Sequence, residues 1–123
     1  MARLVFCEDN EMVRKLITIA MRDSGHEVLI AEDGQEGLDL LRQHPADLVV
    51  TDLAMPNMTG LELYDALHAD PGLAALPVVF LTASTQKVLL TEAQMRAPVA
   101  ILMKPFSPAE LRSRLEEILS KQA

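Results

Sequence analysis

An open α/β sheet of five parallel strands, doubly wound with five flanking helices, is the fold this sequence predicts. Three observations predict it. The runs LVFCED, DLVVTD, PVVFLT and AILMKP are short, aliphatic and bounded by turn signals, as strands buried on both faces are. Amphipathic stripes alternate with them, so the chain repeats strand then helix five times. With 123 residues it makes one domain, 1–123, too short for an eight-stranded barrel. Right-handed crossovers then cover both faces of the sheet and carry every strand's carboxyl end to one edge.

After the first strand, Val13, Leu16, Ile17, Ala20 and Met21 form an apolar helical stripe, with Asp9 or Asn10 as its cap and Gly25 as its end. The second strand is expected near 27–31, the second helix from Gly34 to Gln43, and the third strand over 47–52. Thr59 and Glu62 read as a capping box opening the third helix, with Leu63, Tyr64 and Leu67 facing inward. The fourth strand is expected over 78–81 and the fifth over 99–103. The helix between them, about 85–95, has a broken stripe. The last helix is the best signalled. Ser107 caps it, Pro108 takes its first position, Glu110 completes a second capping box, and Leu111, Leu115, Ile118 and Leu119 form its buried face.

Composition narrows the class. Half of the residues are hydrophobic but only 3% are aromatic, so the core is aliphatic. A net charge of −7 argues against nucleic-acid binding by this chain. No apolar run approaches the ~20 residues that cross a bilayer, and the amino terminus lacks a signal-peptide pattern. The single cysteine, Cys7, excludes an internal disulfide and suits a reducing cytosol. A cytoplasmic protein with no membrane partner is expected. Seven methionines read as core filler, and His26, His44 and His68 have no ligand spacing and are expected on the surface.

The chemistry lies at the strand ends. Glu8 and Asp9 follow the first strand, Asp52 ends the third, Thr82 the fourth, and Lys104 follows the fifth. Singly, each has an ordinary reading as a cap, a turn residue or a surface lysine. Together they fall on the edge where open α/β sheets bind ligands, at the point where strand order reverses. Three carboxylates, a hydroxyl and an ammonium converging there make metal-assisted phosphoryl transfer the plausible chemistry.

On these residues, together with Met55-Pro56, Gly60, Thr82-Ala83 and Lys104-Pro105-Phe106, the chain resembles a response regulator receiver domain of two-component signalling. The spacings agree: 43 residues from Asp9 to Asp52, 30 on to Thr82 and 22 on to Lys104. The resemblance implies a flavodoxin-like sheet of order 2-1-3-4-5. It implies a phosphorylation-activated switch, not an enzyme acting on external substrates. Asp52 would accept a phosphoryl group from a sensor histidine kinase or phosphotransfer protein. Glu8, Asp9, Asp52 and the backbone carbonyl of Ala54 would hold Mg²⁺, while Thr82 and Lys104 would engage the phosphoryl oxygens. An aspartate suits this role because it is ionised at neutral pH without a general base. The response would pass to the surface of the fourth helix, fifth strand and fifth helix, read by a downstream protein or an output domain; the resemblance also admits a homodimer through that surface.

Two features depart from the family. Ile101 stands where an aromatic switch residue partners the threonine, and Ala97-Pro98 stands where Gly-Ala commonly precedes the fifth strand. Ala54 and Ser84 occupy the small variable positions flanking the phosphorylation site. Ile101 leaves room for an interaction domain that works without phosphorylation. A small phosphatase is disfavoured, because Leu53-Ala54 supplies no second acid after Asp52, and no glycine-rich loop follows the first strand.

Overall fold

The computed structural model describes residues 1–83 and 87–122. Strands and helices alternate throughout: β1 (Arg3–Cys7), α1 (Glu11–Met21), β2 (Glu27–Ala31), α2 (Gly34–Gln43), β3 (Leu48–Asp52), α3 (Gly60–Ala69), β4 (Val78–Thr82), α4 (Lys87–Met95), β5 (Ala100–Met103) and α5 (Pro108–Gln122). The strands form one parallel sheet in the order β2-β1-β3-β4-β5. From β1 the chain moves outward to β2 and then crosses back to β3, so strand order reverses between β1 and β3.

The period of two along each strand divides the core. Leu4 and Phe6 of β1, Leu48 and Val50 of β3, and Val79 and Leu81 of β4 pack with Ile17, Ala20 and Met21 of α1 and Leu111, Leu115 and Ile118 of α5. Val5 and Cys7, Val49, Val78 and Phe80 point the other way, to Leu38 and Leu41 of α2, Leu63 and Leu67 of α3 and Ala93 of α4. A one-residue slip would invert these assignments, so burial on both faces fixes the register.

Caps fix where the helices begin. Asn10 accepts the Val13 amide at 3.1 Å and opens α1. Asp33 accepts the Glu36 amide at 2.8 Å and opens α2. Thr59 and Glu62 make both bonds of a capping box at α3, at 3.1 and 3.0 Å, and Ser107 Oγ accepts the Glu110 amide at 3.1 Å at α5.

Two sequence expectations need correction. Helix α1 ends at Met21 and not at Gly25, because the chain turns at Asp23, whose φ is 59°, with the Ser24 amide donating to the Met21 carbonyl. Gly25, at φ 83°, belongs to the connection that follows. Tyr64 faces inward as expected, partly buried against Phe80 with ring centres 5.8 Å apart, and donates its hydroxyl to the Arg96 carbonyl. His26 is not a surface residue. Its ring is 12% exposed, with Nδ1 accepting the Ala2 amide at 3.0 Å and Nε2 2.6 Å from Glu116. The fourth helix is present from Lys87; Thr85 and Ser84 lie outside the described residues.

Candidate functional site

Strand register sets the site. Cys7 lies opposite Ala31 and Thr51, Asp52 opposite Leu81, and Thr82 opposite Met103. The residues at or just after these positions, Glu8, Asp9, Asp52, Thr82 and Lys104, therefore share the carboxyl edge of the sheet beside the reversal point. Oxygens of Glu8, Asp9 and Asp52 lie within 4.8 Å of one another. Burial grades across them: Glu8 is inaccessible, Asp52 is 9% exposed, and Asp9 faces solvent. The cluster thus opens outward from a buried floor.

Lys104 spans that floor. Its Nζ donates to Glu8 Oε1 at 2.8 Å and to Asp52 Oδ2 at 3.0 Å. The other Asp52 oxygen accepts the Leu53 amide at 2.7 Å, and the other Glu8 oxygen accepts the Asn10 amide at 3.1 Å. Burial pushes the Glu8 carboxyl up to about 7; the Lys104 hydrogen bond opposes that rise and the Asp52 charge adds to it. Burial works against the Lys104 charge as well, but its bonds to Glu8 and Asp52 prevail and hold the ammonium above the ordinary lysine range. Each carboxylate is costly to bury alone, and the shared cation offsets that cost.

Thr82 stands at the same edge, 7% exposed, and its carbonyl accepts the Lys104 amide at 2.7 Å, which ties the ends of β4 and β5. Ala54 is exposed two residues beyond Asp52. Ile101 is set back along β5 opposite Phe80, partly buried against the α2–α3–α4 side of the core. Cys7 is fully buried, its thiol pushed up to about 12 by desolvation. His68 is exposed and stacks on Tyr64 at 4.1 Å. The carboxylates offer hard oxygen donors, the chemistry that suits Mg²⁺ or another small divalent cation.

Sequence reasoning missed the residues that hold the cluster's backbone. Arg14, one turn into α1, donates to the carbonyls of Glu8 at 3.0 Å and Asp9 at 2.8 Å, and its far nitrogen lies 3.4 Å from Glu32. A lone arginine in an amphipathic helix carries no signal of this. Gly60 was seen only as part of a motif. Its amide donates to the Leu53 carbonyl at 2.9 Å, and a Cβ there would overlap the Asp52 carbonyl.

Known proteins share this chain's sequence pattern and fold. The profile of the response regulator receiver domain matches residues 4–116. Chemotaxis protein CheY-3 of Vibrio cholerae is 31% identical over 120 residues, which cover 97% of this chain and 92% of that protein. The DNA-binding response regulator MtrA of Mycobacterium leprae is 32% identical over 119 residues, and there the chain spans about half of the relative, 52%. Among solved structures, the chemotaxis response regulator CheY4 of Vibrio cholerae superposes with a TM-score of 0.86 at 29% identity, covering 96% of this chain and 98% of that one. A signal receiver domain of a histidine kinase from Syntrophus aciditrophicus reaches 0.88 at 22% identity and bears on the fold alone. The reversal-point cluster and the match along nearly the whole chain lead to one conclusion: this protein belongs to the response regulator receiver domain family of two-component signalling.

Proposed function

We propose that the chain, taken as one receiver domain over 1–123, is a switch set by phosphorylation of Asp52. The observation that carries this reading is the Lys104 ammonium held between Glu8 and Asp52 beside a third carboxylate, Asp9. That arrangement sets a nucleophilic carboxylate at the carboxyl edge of the sheet, where the one ammonium of Lys104 offsets part of the charge of three carboxylates.

Chemically, an Asp52 oxygen attacks phosphorus. A P–O bond forms while the bond from phosphorus to the donor breaks, and the donor leaves with the electron pair. A phosphohistidine on a sensor kinase or phosphotransfer protein, or a small acyl phosphate, fits that role. Glu8, Asp9, Asp52 and the Ala54 carbonyl are the groups that would hold Mg²⁺. The bound ion would neutralise phosphoryl oxygens that otherwise repel the carboxylates. Lys104 keeps a point charge at the floor throughout, and Thr82 offers a hydroxyl at the same edge. Positioning and charge neutralisation supply most of the rate in such transfers.

The phosphorylated state would be read on the α4–β5–α5 surface. Val88 and Met95 of α4 and Val99 and Met103 at β5 are exposed there, at 76%, 75%, 44% and 43%. Large side chains left in water on one side of a domain suit a protein partner, either a separate protein, an appended output domain or a second copy. Coupling of about 1–3 kcal/mol is the usual scale for such a response. No described helix is long and apolar enough to cross a membrane, and the buried thiol of Cys7 fits a reducing cytosol.

Intact mass after incubation with acetyl phosphate and Mg²⁺, beside an Asp52→Asn control, tests the reading. One phosphoryl group is expected on the wild type alone, and only with the metal. No gain would favour a domain that binds its partner without phosphorylation, the reading to which the aliphatic, half-buried Ile101 lends support.

A further inference from the structure

The loop 53–59, which joins Asp52 to α3, is held at two places, and only one of them belongs to the site described above. At its far end, Gly60 packs on Asp52. In its middle the loop is fastened to the start of α2, an element that supplies nothing to the carboxylate cluster. Asn57 Nδ2 donates to Asp33 Oδ2 at 2.7 Å, while Asp33 Oδ1 accepts the Glu36 amide at 2.8 Å. Beside that bond, the Gly34 amide donates to the Met58 carbonyl at 3.2 Å, and a Cβ on Gly34 would overlap the same carbonyl. Asn57 reaches Asp33 from a left-handed backbone, φ 66°.

Asp33 therefore does two things at once, with a different oxygen for each. Its bonds to Glu36 and Asn57 hold its carboxyl below the ordinary aspartate range, as expected of a carboxylate engaged in its charged form. A left-handed asparagine between Pro56 and Met58 has a backbone explanation, since Asn tolerates that region. A side chain that also ends 2.7 Å from a helix-capping carboxylate needs a second one.

We infer that Asp33 and Asn57 form a clasp that positions the Ala54–Met55 backbone over Asp52, and so sets the cation affinity of the site from the start of α2. Both are positioning residues: neither reaches the carboxylate cluster. This rests on the reading of Glu8, Asp9, Asp52 and the Ala54 carbonyl as a Mg²⁺ site. It makes the α2 end a control point, because anything that pulls Asp33 away loosens the loop carrying the fourth ligand.

Asn57→Gly separates the clasp from the backbone. Glycine adopts the left-handed conformation freely, so thermal stability is kept while the side-chain bond is lost. Mg²⁺ affinity by titration calorimetry is expected to fall about threefold, the scale of one partly exposed hydrogen bond, and amide exchange over 53–59 to accelerate even without metal. Asn57→Asp sets two carboxylates against each other and should weaken Mg²⁺ further. Adding Asp33→Asn to it restores the pair in reverse, since the new amide can still accept from Glu36 and donate to the partner; affinity should recover. Unchanged affinity and exchange in Asn57→Gly, or no recovery in the double exchange, would overturn the clasp. A wild type that takes up no Mg²⁺ would overturn the site reading, and the clasp then stands or falls on loop exchange in the metal-free protein.

Discussion

Glu8 shows how much one buried group dictates. Its carboxyl sits at about 7 in the fold against an ordinary 4.5, so the folded metal-free protein holds the proton more tightly than the unfolded chain. The stability this contributes is complete below pH 4.5 and is lost as pH rises through 7. In urea melts without metal, the wild type should lose stability between pH 5 and 8 relative to Glu8→Gln, which has no such proton to release; parallel pH dependences would remove Glu8 as the titrating group. Gly60→Ala tests the opposite constraint, that of space. A methyl against the Asp52 carbonyl should cost about 1–3 kcal/mol in denaturant unfolding and slow labelling by acetyl phosphate; wild-type stability would show that the loop can move aside. Residues of the first kind were legible in the sequence because charged groups at the ends of apolar runs are conspicuous. Arg14, Asp33 and Asn57 were not, because their partners are backbone carbonyls or side chains that only the fold brings near. His26 looked like a surface residue for the same reason: its partners, Ala2 and Glu116, are 24 and 90 residues away.

At the level of elements, legibility followed burial. β3 and β4 are buried at every position and could be read from short, mostly apolar runs. The capped helices α1, α3 and α5 announced their own starts. Helix α4 could not be read so firmly, since Ala93 is its only described residue that is fully buried, and a helix so shallowly seated leaves a broken stripe. What holds its end is visible only in the structure. Arg96 pairs with Asp65 of α3 at 2.9 and 3.0 Å and with Glu92 at 3.0 Å, and the Arg96 carbonyl receives the Tyr64 hydroxyl. The chain then turns through Ala97 at φ 52° into Pro98. An alanine in that region carries a cost of about 1–2 kcal/mol, part of which glycine's looser unfolded state would reclaim. Ala97→Gly should therefore stabilise the protein by about 0.5 kcal/mol; a lower melting midpoint would mean that the turn is not strained.

For the whole molecule, fold class follows from five alternations and one handedness rule and the sheet order from the family resemblance, whereas the charge balance of the site depends on how the strand ends meet. Three carboxylates share one ammonium, which leaves the floor short of positive charge. A divalent cation should fill that deficit and stabilise the native state by mass action: at ten times its dissociation constant, Mg²⁺ should add about 1.4 kcal/mol and raise the melting temperature by about 5 °C. Asp9→Asn should diminish the rise, and an equal rise with NaCl at matched ionic strength would assign it to screening. The opposite edge of the sheet has a consequence of its own. Met1, His26, Leu119 and Gln122 line one cleft there, with the His26–Glu116 contact beside it, so the two ends of the described chain come out together on the side away from Asp52. A circular permutant, its old ends bridged by a short flexible segment and new ones opened at the exposed Pro71–Gly72 turn, would leave every loop of the carboxyl edge uncut.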